Sequence, residues 1–432
     1  MIVGLGKTGL SYARFLAARG EDFMVADDNP FDASVVAVDK ISPGTIIGDI
    51  SVDCLLQADE IFISPGVPLD HEAVSMARAR GKILRGDIQI FGELATAPIV
   101  GVTGTNGKST VSEFVFELIR DQGKNVSLAG NIGTPCLDVL SEDVDFYVLE
   151  ISSYQLELAT EMKTEVSVVL NLVPDHMDRY ANLQDYYQTK LGLYENAKRA
   201  VINRSMLDDL GSAHSDATFG SDMLPGENNF GVSVQGEQVW LVQGNKILLS
   251  VDELQIAGRH NYQNILAGLA VGWVIGLGIG GMLDTARRFK GLPHRSEVVG
   301  EVDGVTYVND SKATNPGALV ATVKGQARGR NIHLIAGGDS KGLAFDGLAA
   351  ELRPYLKGVY LIGENYAGLQ REFSGQGAIA CDALAQAVSA ASARATCGDI
   401  VLLSPGCASY DQFQDYVERG KTFEVLVGMM NP

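Results

Sequence analysis

The chain has 432 residues, room for roughly two to four domains. Hydrophobic residues make up 46% and charged residues 20%, so each domain has the material for an ordinary core. The formal net charge of −19 argues against a nucleic-acid partner, whose phosphates need a basic face, but leaves room for a nucleotide in a local cationic pocket.

The five cysteines, Cys54, Cys136, Cys381, Cys397 and Cys407, are odd in number and never C-x-x-C. They argue against a disulfide framework or a zinc site and fit a reducing cytoplasm. The chain opens on a short apolar run and then a glycine loop, so no secretory leader is expected. The first α/β segment covers residues 1–88. Ile2 and Val3 form the stub of a strand, residues 4–9 a loop and residues 10–19 a helix. A strand at 23–25 runs to Asp27 and Asp28, and one at 60–63 runs to Ser64, Pro65 and Gly66. The first strand is shorter than the usual length of about five, so residues ahead of Met1 are expected to be missing or trimmed. Gly4, Gly6 and Gly9 form a G-x-G-x-x-G, with Asp27 about twenty residues on. Read alone, this predicts a nicotinamide dinucleotide, but the same backbone geometry cradles any diphosphate.

The second segment covers residues 89–290. A strand at 98–102 leads into Gly104, Thr105, Asn106, Gly107, Lys108, Ser109 and Thr110, and a helix follows over 111–122. Strand, glycine loop and helix in that order make a phosphate loop. Glycines let backbone N–H groups approach phosphate oxygens, and the helix N-terminus adds positive potential. Lys108 supplies full charge, and a hydroxyl of Ser109 or Thr110 can ligate Mg²⁺. The general pattern wants Gly at Val102; Gly104 gives a tighter loop instead. Apolar strands then run at 145–149, ending at Glu150, and at 166–170, ending at Asn171. A strand-end acid beside a phosphate loop is where nucleotide hydrolases place a Mg²⁺ ligand. His176 lies just past the second strand end. Residues 203–256 read as short alternating strands, a small β insertion.

Residues 265–283 carry no charge and are long enough to cross a bilayer. Gly268, Gly272 and Gly276 have G-x-x-x-G spacing. Gly276, Gly278, Gly280 and Gly281 interrupt the second half, so a buried helix with a small face, followed by a loop, is expected instead of a membrane span.

The third segment covers residues 291–432, with strands at 306–308, 332–335, 359–362 and 400–403 separated by helices. The whole reads as an α/β protein with parallel sheets and ligands at the carboxyl ends of the strands.

These stretches resemble the Mur ligase family, which joins amino acids to a UDP-muramoyl precursor. The G-T-N-G-K-S-T loop is similar to its ATP loop. The blocks at 131–135, 150–156, 175–178 and 258–264 resemble its further central motifs, and His294–Arg295 and the block at 309–315 those that start its last domain. Within the family, the blocks at 337–341 and 404–413 resemble the member that adds D-glutamate. The resemblance implies three domains: a Rossmann-like UDP-substrate domain (1–88), a central ATP domain (89–290) and a Rossmann-like amino-acid domain (291–432). It implies that Lys7, Thr8, Asp27, Asp28, Ser64, Pro65 and Gly66 hold UDP, and that Asn131 and His176 touch the muramoyl end. Asn264, Arg295 and Asp310 are implied for adenosine. Lys312, Thr314, Lys341, Ser409 and Tyr416 are implied for the amino acid, with Lys341 and Ser409 on its side-chain carboxylate. Two Mg²⁺ ions are implied, one on Ser109 and Glu150, the other framed by His176 and by Lys190 as its carbamate. The catalytic set expected is Lys108, His176, Lys190 and Lys312. The substrates expected are ATP, UDP-N-acetylmuramoyl-L-alanine and D-glutamate, and the protein is expected to be a monomer with no membrane partner.

Overall fold

In the computed structural model, residues 1–177, 179–207, 215–236, 238–256, 258–340, 344–363 and 367–430 are described. Short apolar strands that alternate with helices build three sheets, one per domain.

The first sheet contains β1 (Ile2–Val3), β2 (Val25–Ala26), β3 (Ile47–Gly48), β4 (Glu60–Ile63) and β5 (Ile83–Arg85). Their order is β3-β2-β1-β4-β5, all parallel. The direction of winding reverses between β1 and β4, which opens a crevice at their carboxyl ends. Gly4 and Ser64 leave the two strands there, and Ser64 Oγ donates to Gly4 O at 2.7 Å.

The second sheet contains β6 (Ile99–Thr103), β7 (Val126–Gly130), β8 (Phe146–Glu150), β9 (Val166–Val169), β10 (Ala200–Asn203), β11 (Ala217–Phe219), β12 (Asn229–Gln235), β13 (Gln238–Gln243) and β14 (Lys246–Ser250). The order is β14-β13-β12-β11-β10-β9-β6-β8-β7. The alternating strands expected as an insertion therefore continue the central sheet. β12 joins β11 in parallel, and only β12, β13 and β14 run antiparallel to one another.

Helix Lys108–Asp121 packs against helix Arg259–Val274, with Phe114, Val115 and Leu118 meeting Leu266 and Leu269 in the central core. Each such side chain contributes about 1.5–3 kcal/mol on burial. A Cβ on Gly268 would lie 2.3 Å from Phe114 Cδ1, so the small face is what lets these helices approach.

The loop expected after this helix is a correction. The interruption is confined to Ile275–Gly278, where Gly276 has φ +85, and a second helix spans Ile279–Arg288. Its glycines fall in the first turn, and burial of Met282, Thr285 and Ala286 outweighs their poor propensity. Among the described residues no helix is long and apolar enough to cross a membrane.

The third sheet contains β15 (Glu297–Val302), β16 (Val305–Asn309), β17 (Ile332–Gly337), β18 (Leu356–Ile362), β19 (Ile379–Ala380) and β20 (Ile400–Leu403), ordered β15-β16-β20-β17-β18-β19. Only β15 and β16 pair antiparallel. The carboxyl end of β16 carries a loop whose Asn315 hydrogen-bonds the central domain.

Candidate active site

β6 delivers the chain into the phosphate loop. Gly104 takes φ +147 and Gly107 takes φ +85, conformations that disfavour any side chain. A Cβ on Gly107 would also meet Asn264 Oδ1 at 2.5 Å, which places Asn264 against the loop. The segment after β9 clamps the loop from outside. Asn106 N donates to Asn171 Oδ1 at 2.8 Å, and Asn171 Nδ2 returns to Asn106 O at 2.9 Å. Thr105 Oγ1 bonds Val173 O and lies 3.0 Å from Tyr186 OH.

Lys108 folds back along the loop, its Nζ donating to Gly104 O and Thr105 O at 2.9 Å each. Burial, with a smaller contribution from Arg295, pushes this amine below its ordinary range. Lys190 comes from helix Leu183–Leu191 and is 1% exposed. Its Nζ donates to Gly104 O at 3.0 Å, so both lysines share one loop carbonyl. Burial first, and then Lys108, push the Lys190 amine well below the usual lysine range.

Glu150 ends β8 beside this pair and is 2% exposed. Asn131 Nδ2 donates to Glu150 Oε1 at 2.6 Å, while Oε2 is buried with no hydrogen-bond partner. An orphaned buried carboxylate oxygen is costly. It fits a divalent cation, which takes oxygen ligands. Ser109 Oγ is held by Arg295 Nη2 at 2.7 Å. Arg295, expected at adenosine, is thus brought to the loop hydroxyl expected at Mg²⁺. Thr110 is buried in the first turn.

His176 adopts φ +56, left-handed backbone of the kind that collects at functional sites. Its Nδ1 lies 2.7 Å from Tyr154 OH, and Arg179 stacks over the Tyr154 ring at 4.6 Å while pairing with Glu157 at 2.6 Å. A crevice of only about 10 Å³ separates Ser64 and Pro65 of the first domain from Tyr154 and Arg179, so the first-domain loop packs beside the tyrosine that meets His176.

On the first domain, Lys7 and Gly66 are exposed and Thr8 is half-buried. Asp27 does structural work there: its Oδ2 accepts from Leu5 N at 2.6 Å and its Oδ1 from Asn29 N. Asp28 accepts from Ile50 N at 2.8 Å.

The third domain meets the phosphate loop through Asn315. Its Nδ2 donates to Asp175 Oδ2 at 2.9 Å and reaches Asn106 Oδ1 at 3.4 Å. Asp310 is buried; Oδ1 accepts from Ser296 N and Oδ2 from Ser404 Oγ, and burial raises its pKa to about 6. Lys312 Nζ sits 4.2 Å above the Tyr416 ring, and Thr314 lies half-buried in the same loop. Ser409 is buried on the loop after β20. Lys341 lies outside the described residues. Residue reasoning gave no role to Tyr154, Arg179, Asn171 or Asn315; the only sequence signal for them was membership of the blocks around 150–156, 175–178 and 309–315.

A phosphate loop opening onto buried lysines and an acid with one unpartnered oxygen, with a third α/β domain hydrogen-bonded across it, is the site of a nucleotide-triphosphate-dependent enzyme. Three family models match in chain order: the Mur ligase MurD-like N-terminal domain over residues 1–86, the Mur ligase middle domain over 102–272, and the Mur ligase glutamate ligase domain over 294–407. The chain is 41% identical to the UDP-N-acetylmuramoylalanine–D-glutamate ligase of Marinobacter nauticus, covering 99% of this chain and 97% of the relative. It is 39% identical to the ligase of the same name from Hahella chejuensis, again covering 99% and 97%. Among solved structures, the MurF ligase of Thermotoga maritima in complex with ADP shares the fold, with a TM-score of 0.65 at 18% identity over 99% of this chain and 95% of that one. The chain belongs to the Mur ligase family, the ATP-dependent ligases of peptidoglycan precursor synthesis.

Proposed function

We propose that the protein joins the amine of D-glutamate to the alanyl carboxylate of UDP-N-acetylmuramoyl-L-alanine, within domains bounded near residues 88 and 290. The observation that carries this reading is the docking of the third domain on the phosphate loop of the central one, with Arg295 on Ser109 and Asn315 on Asp175. The choice of acid and amine follows the relatives named above.

A carboxylate oxygen attacks the γ-phosphorus of ATP, and the bond to ADP breaks. The amine nitrogen then attacks the acyl carbon, the bond to phosphate breaks, and phosphate leaves as a base takes one amine proton. Both steps need charge neutralisation and alignment more than covalent help from the protein. Lys108 exchanges its two loop carbonyls for phosphate oxygens, and the N–H groups of the loop line the same groups. Glu150 and Ser109 would hold one Mg²⁺ and His176 and carbamylated Lys190 a second; bound there, the ions withdraw charge from the phosphates. Lys190 can serve only after its amine is converted to a carbamate, because Mg²⁺ takes oxygen. Its lowered pKa supports that conversion, since the neutral amine is the form that attacks CO₂.

Lys7, Thr8, Ser64, Pro65 and Gly66 bind the diphosphate end at the first-domain crevice, and Asn131 and His176 line the path to the reacting carboxylate. Asn264, Arg295 and Asp310 form the adenosine side. Lys312, Thr314, Lys341, Ser409 and Tyr416 form the amino-acid pocket. The five free cysteines fit action in the cytoplasm.

The test is phosphate release from ATP and UDP-N-acetylmuramoyl-L-alanine with D-Glu, L-Glu, L-Ala, L-Lys or meso-diaminopimelate in turn. Release with D-Glu alone is the expected result. Release with another amine moves the protein to a sibling ligase, and release with none overturns the reading.

A further inference from the structure

Arg419 is the largest fully buried side chain among the described residues, at 1% exposure, in helix Tyr416–Gly428. A guanidinium in that position must be fully hydrogen-bonded or it costs several kcal/mol, of the order expected for a buried charge. Here its partners are loops. Nε donates to Ser311 Oγ at 3.0 Å, and Nη2 donates to Ser311 O at 2.8 Å and to Cys407 O at 3.2 Å. Nη1 donates to Ala408 O at 3.2 Å. A third loop touches the same group: a Cβ on Gly338 would stand 3.3 Å from Nη1 and 2.2 Å from Ala408 O. Gly338 takes φ +128, and the neighbouring Asp339 exchanges backbone hydrogen bonds with Ala408 at 3.0 and 2.8 Å.

One side chain therefore gathers the carboxyl ends of β16, β17 and β20. Ser311 precedes Lys312, Gly338 lies shortly before Lys341, and Ala408 precedes Ser409. These are the three stretches that supply the amino-acid pocket under the function proposed above, on which this step rests. Three of the four hydrogen bonds of Arg419 go to main-chain carbonyls and the fourth to Ser311 Oγ. We propose that Arg419 is the positioning residue of the amino-acid pocket, fixing the mutual distances of the loops at Ser311–Lys312, Gly338–Asp339 and Ala408–Ser409 through one rigid guanidinium fork.

The fork is what matters. A planar guanidinium presents donors in fixed directions, whereas a lysine offers one mobile point charge. Burial lowers the Arg419 pKa to about 10, which leaves it a cation at neutral pH. Its hydrogen-bond partners are all carbonyl and hydroxyl oxygens, while Asp411 and Asp310 lie close enough to favour its charge.

The experiment compares full-length wild type with Arg419→Lys and Arg419→Ala in steady-state phosphate release, reading KM for each of the three substrates. Arg419→Lys is expected to raise KM for D-Glu about tenfold, with KM for ATP and for the UDP substrate within about twofold. Guanidinium ion at millimolar concentration is expected to restore part of the loss in Arg419→Ala. Protection against thermal melting by Mg-ATP is expected to match wild type. An unchanged KM for D-Glu, or an equal rise in all three, overturns the proposal, because a merely structural arginine would damage the three sites alike. If the Arg419 variants do not fold, Ser311→Ala decides the matter through the same split, with an expected rise of about threefold. Should wild type accept a different amine, the function reading fails by itself, and the KM split is then read with that amine.

Discussion

Asn131 donates to Oε1 of Glu150 at 2.6 Å and leaves Oε2 as a buried oxygen with no partner. The carboxylate is thereby oriented, one oxygen tied and the other left without a hydrogen bond. Partners that orient a metal ligand typically matter by about 10–100-fold in metal affinity or activity. Asn131→Ala is therefore expected to raise the Mg²⁺ concentration for half-maximal phosphate release by at least about tenfold, with a small effect on melting temperature. A Mg²⁺ titration of turnover reads it. An unchanged midpoint would mean that Glu150 needs no orientation.

Lys190 gives a second prediction. Its amine is buried, shares Gly104 O with Lys108 and is pushed well below the ordinary lysine range. A lowered pKa makes the neutral, nucleophilic amine available at neutral pH. CO₂-free buffer is expected to depress turnover, and bicarbonate to restore it. ¹³C NMR with labelled bicarbonate is expected to show a carbamate signal that Lys190→Ala lacks, and that variant is expected to lose about a hundredfold in activity. Identical spectra for the two proteins would rule the carbamate out.

Asp310 predicts a pH dependence of stability. Its folded pKa of about 6 lies above the ordinary 3.8 because burial disfavours the carboxylate. A group raised on folding contributes stability that is complete below 3.8 and is lost as pH rises through about 6. The difference amounts to about 3 kcal/mol between those limits. Asp310→Asn removes the titration, so wild type is expected to lose stability relative to the variant between pH 4 and about pH 7. Denaturant melts of both proteins at each pH test this, and parallel curves would refute it. Activity of the variant is expected to fall at every pH, since Asp310 also holds Ser296 N and Ser404 Oγ.

The phosphate loop was legible because its signal is local: strand, two glycines, a lysine and a helix occupy adjacent positions. Glu150 was legible for the same reason, as an acid that stops an apolar strand. The strands over 229–250 were legible as strands by their alternation. Their membership of the central sheet was not, because the partner of β12 is β11 and no short-range pattern encodes that pairing. Helix Ile279–Arg288 was missed because glycine propensity is a weak local term and burial of Met282 and Ala286 is a tertiary one. Arg419 gave no signal at all: its role exists only once three distant loops meet around it.

Asn315 yields the last prediction. It caps helix Pro316–Gln326 by accepting from Ala318 N at 2.8 Å, and it bridges to Asp175 at 2.9 Å and to Asn106 at 3.4 Å. One side chain thus couples the third domain to the phosphate loop and to the residue before His176. Asn315→Asp keeps an oxygen for the cap but sets a carboxylate against that of Asp175. Like charges in contact repel by several kcal/mol when partly buried, of the order found for mismatched interface charges. The variant is expected to retain the fold, to scatter X-rays with a larger radius of gyration, and to lose about tenfold or more in kcat. Asn315→Ser, which keeps a cap without the repulsion, is expected to fall between wild type and Asp. Full activity in Asn315→Asp with an unchanged radius would show that the domains close without this contact. Loss of activity at an unchanged radius would assign Asn315 to local geometry at His176 instead.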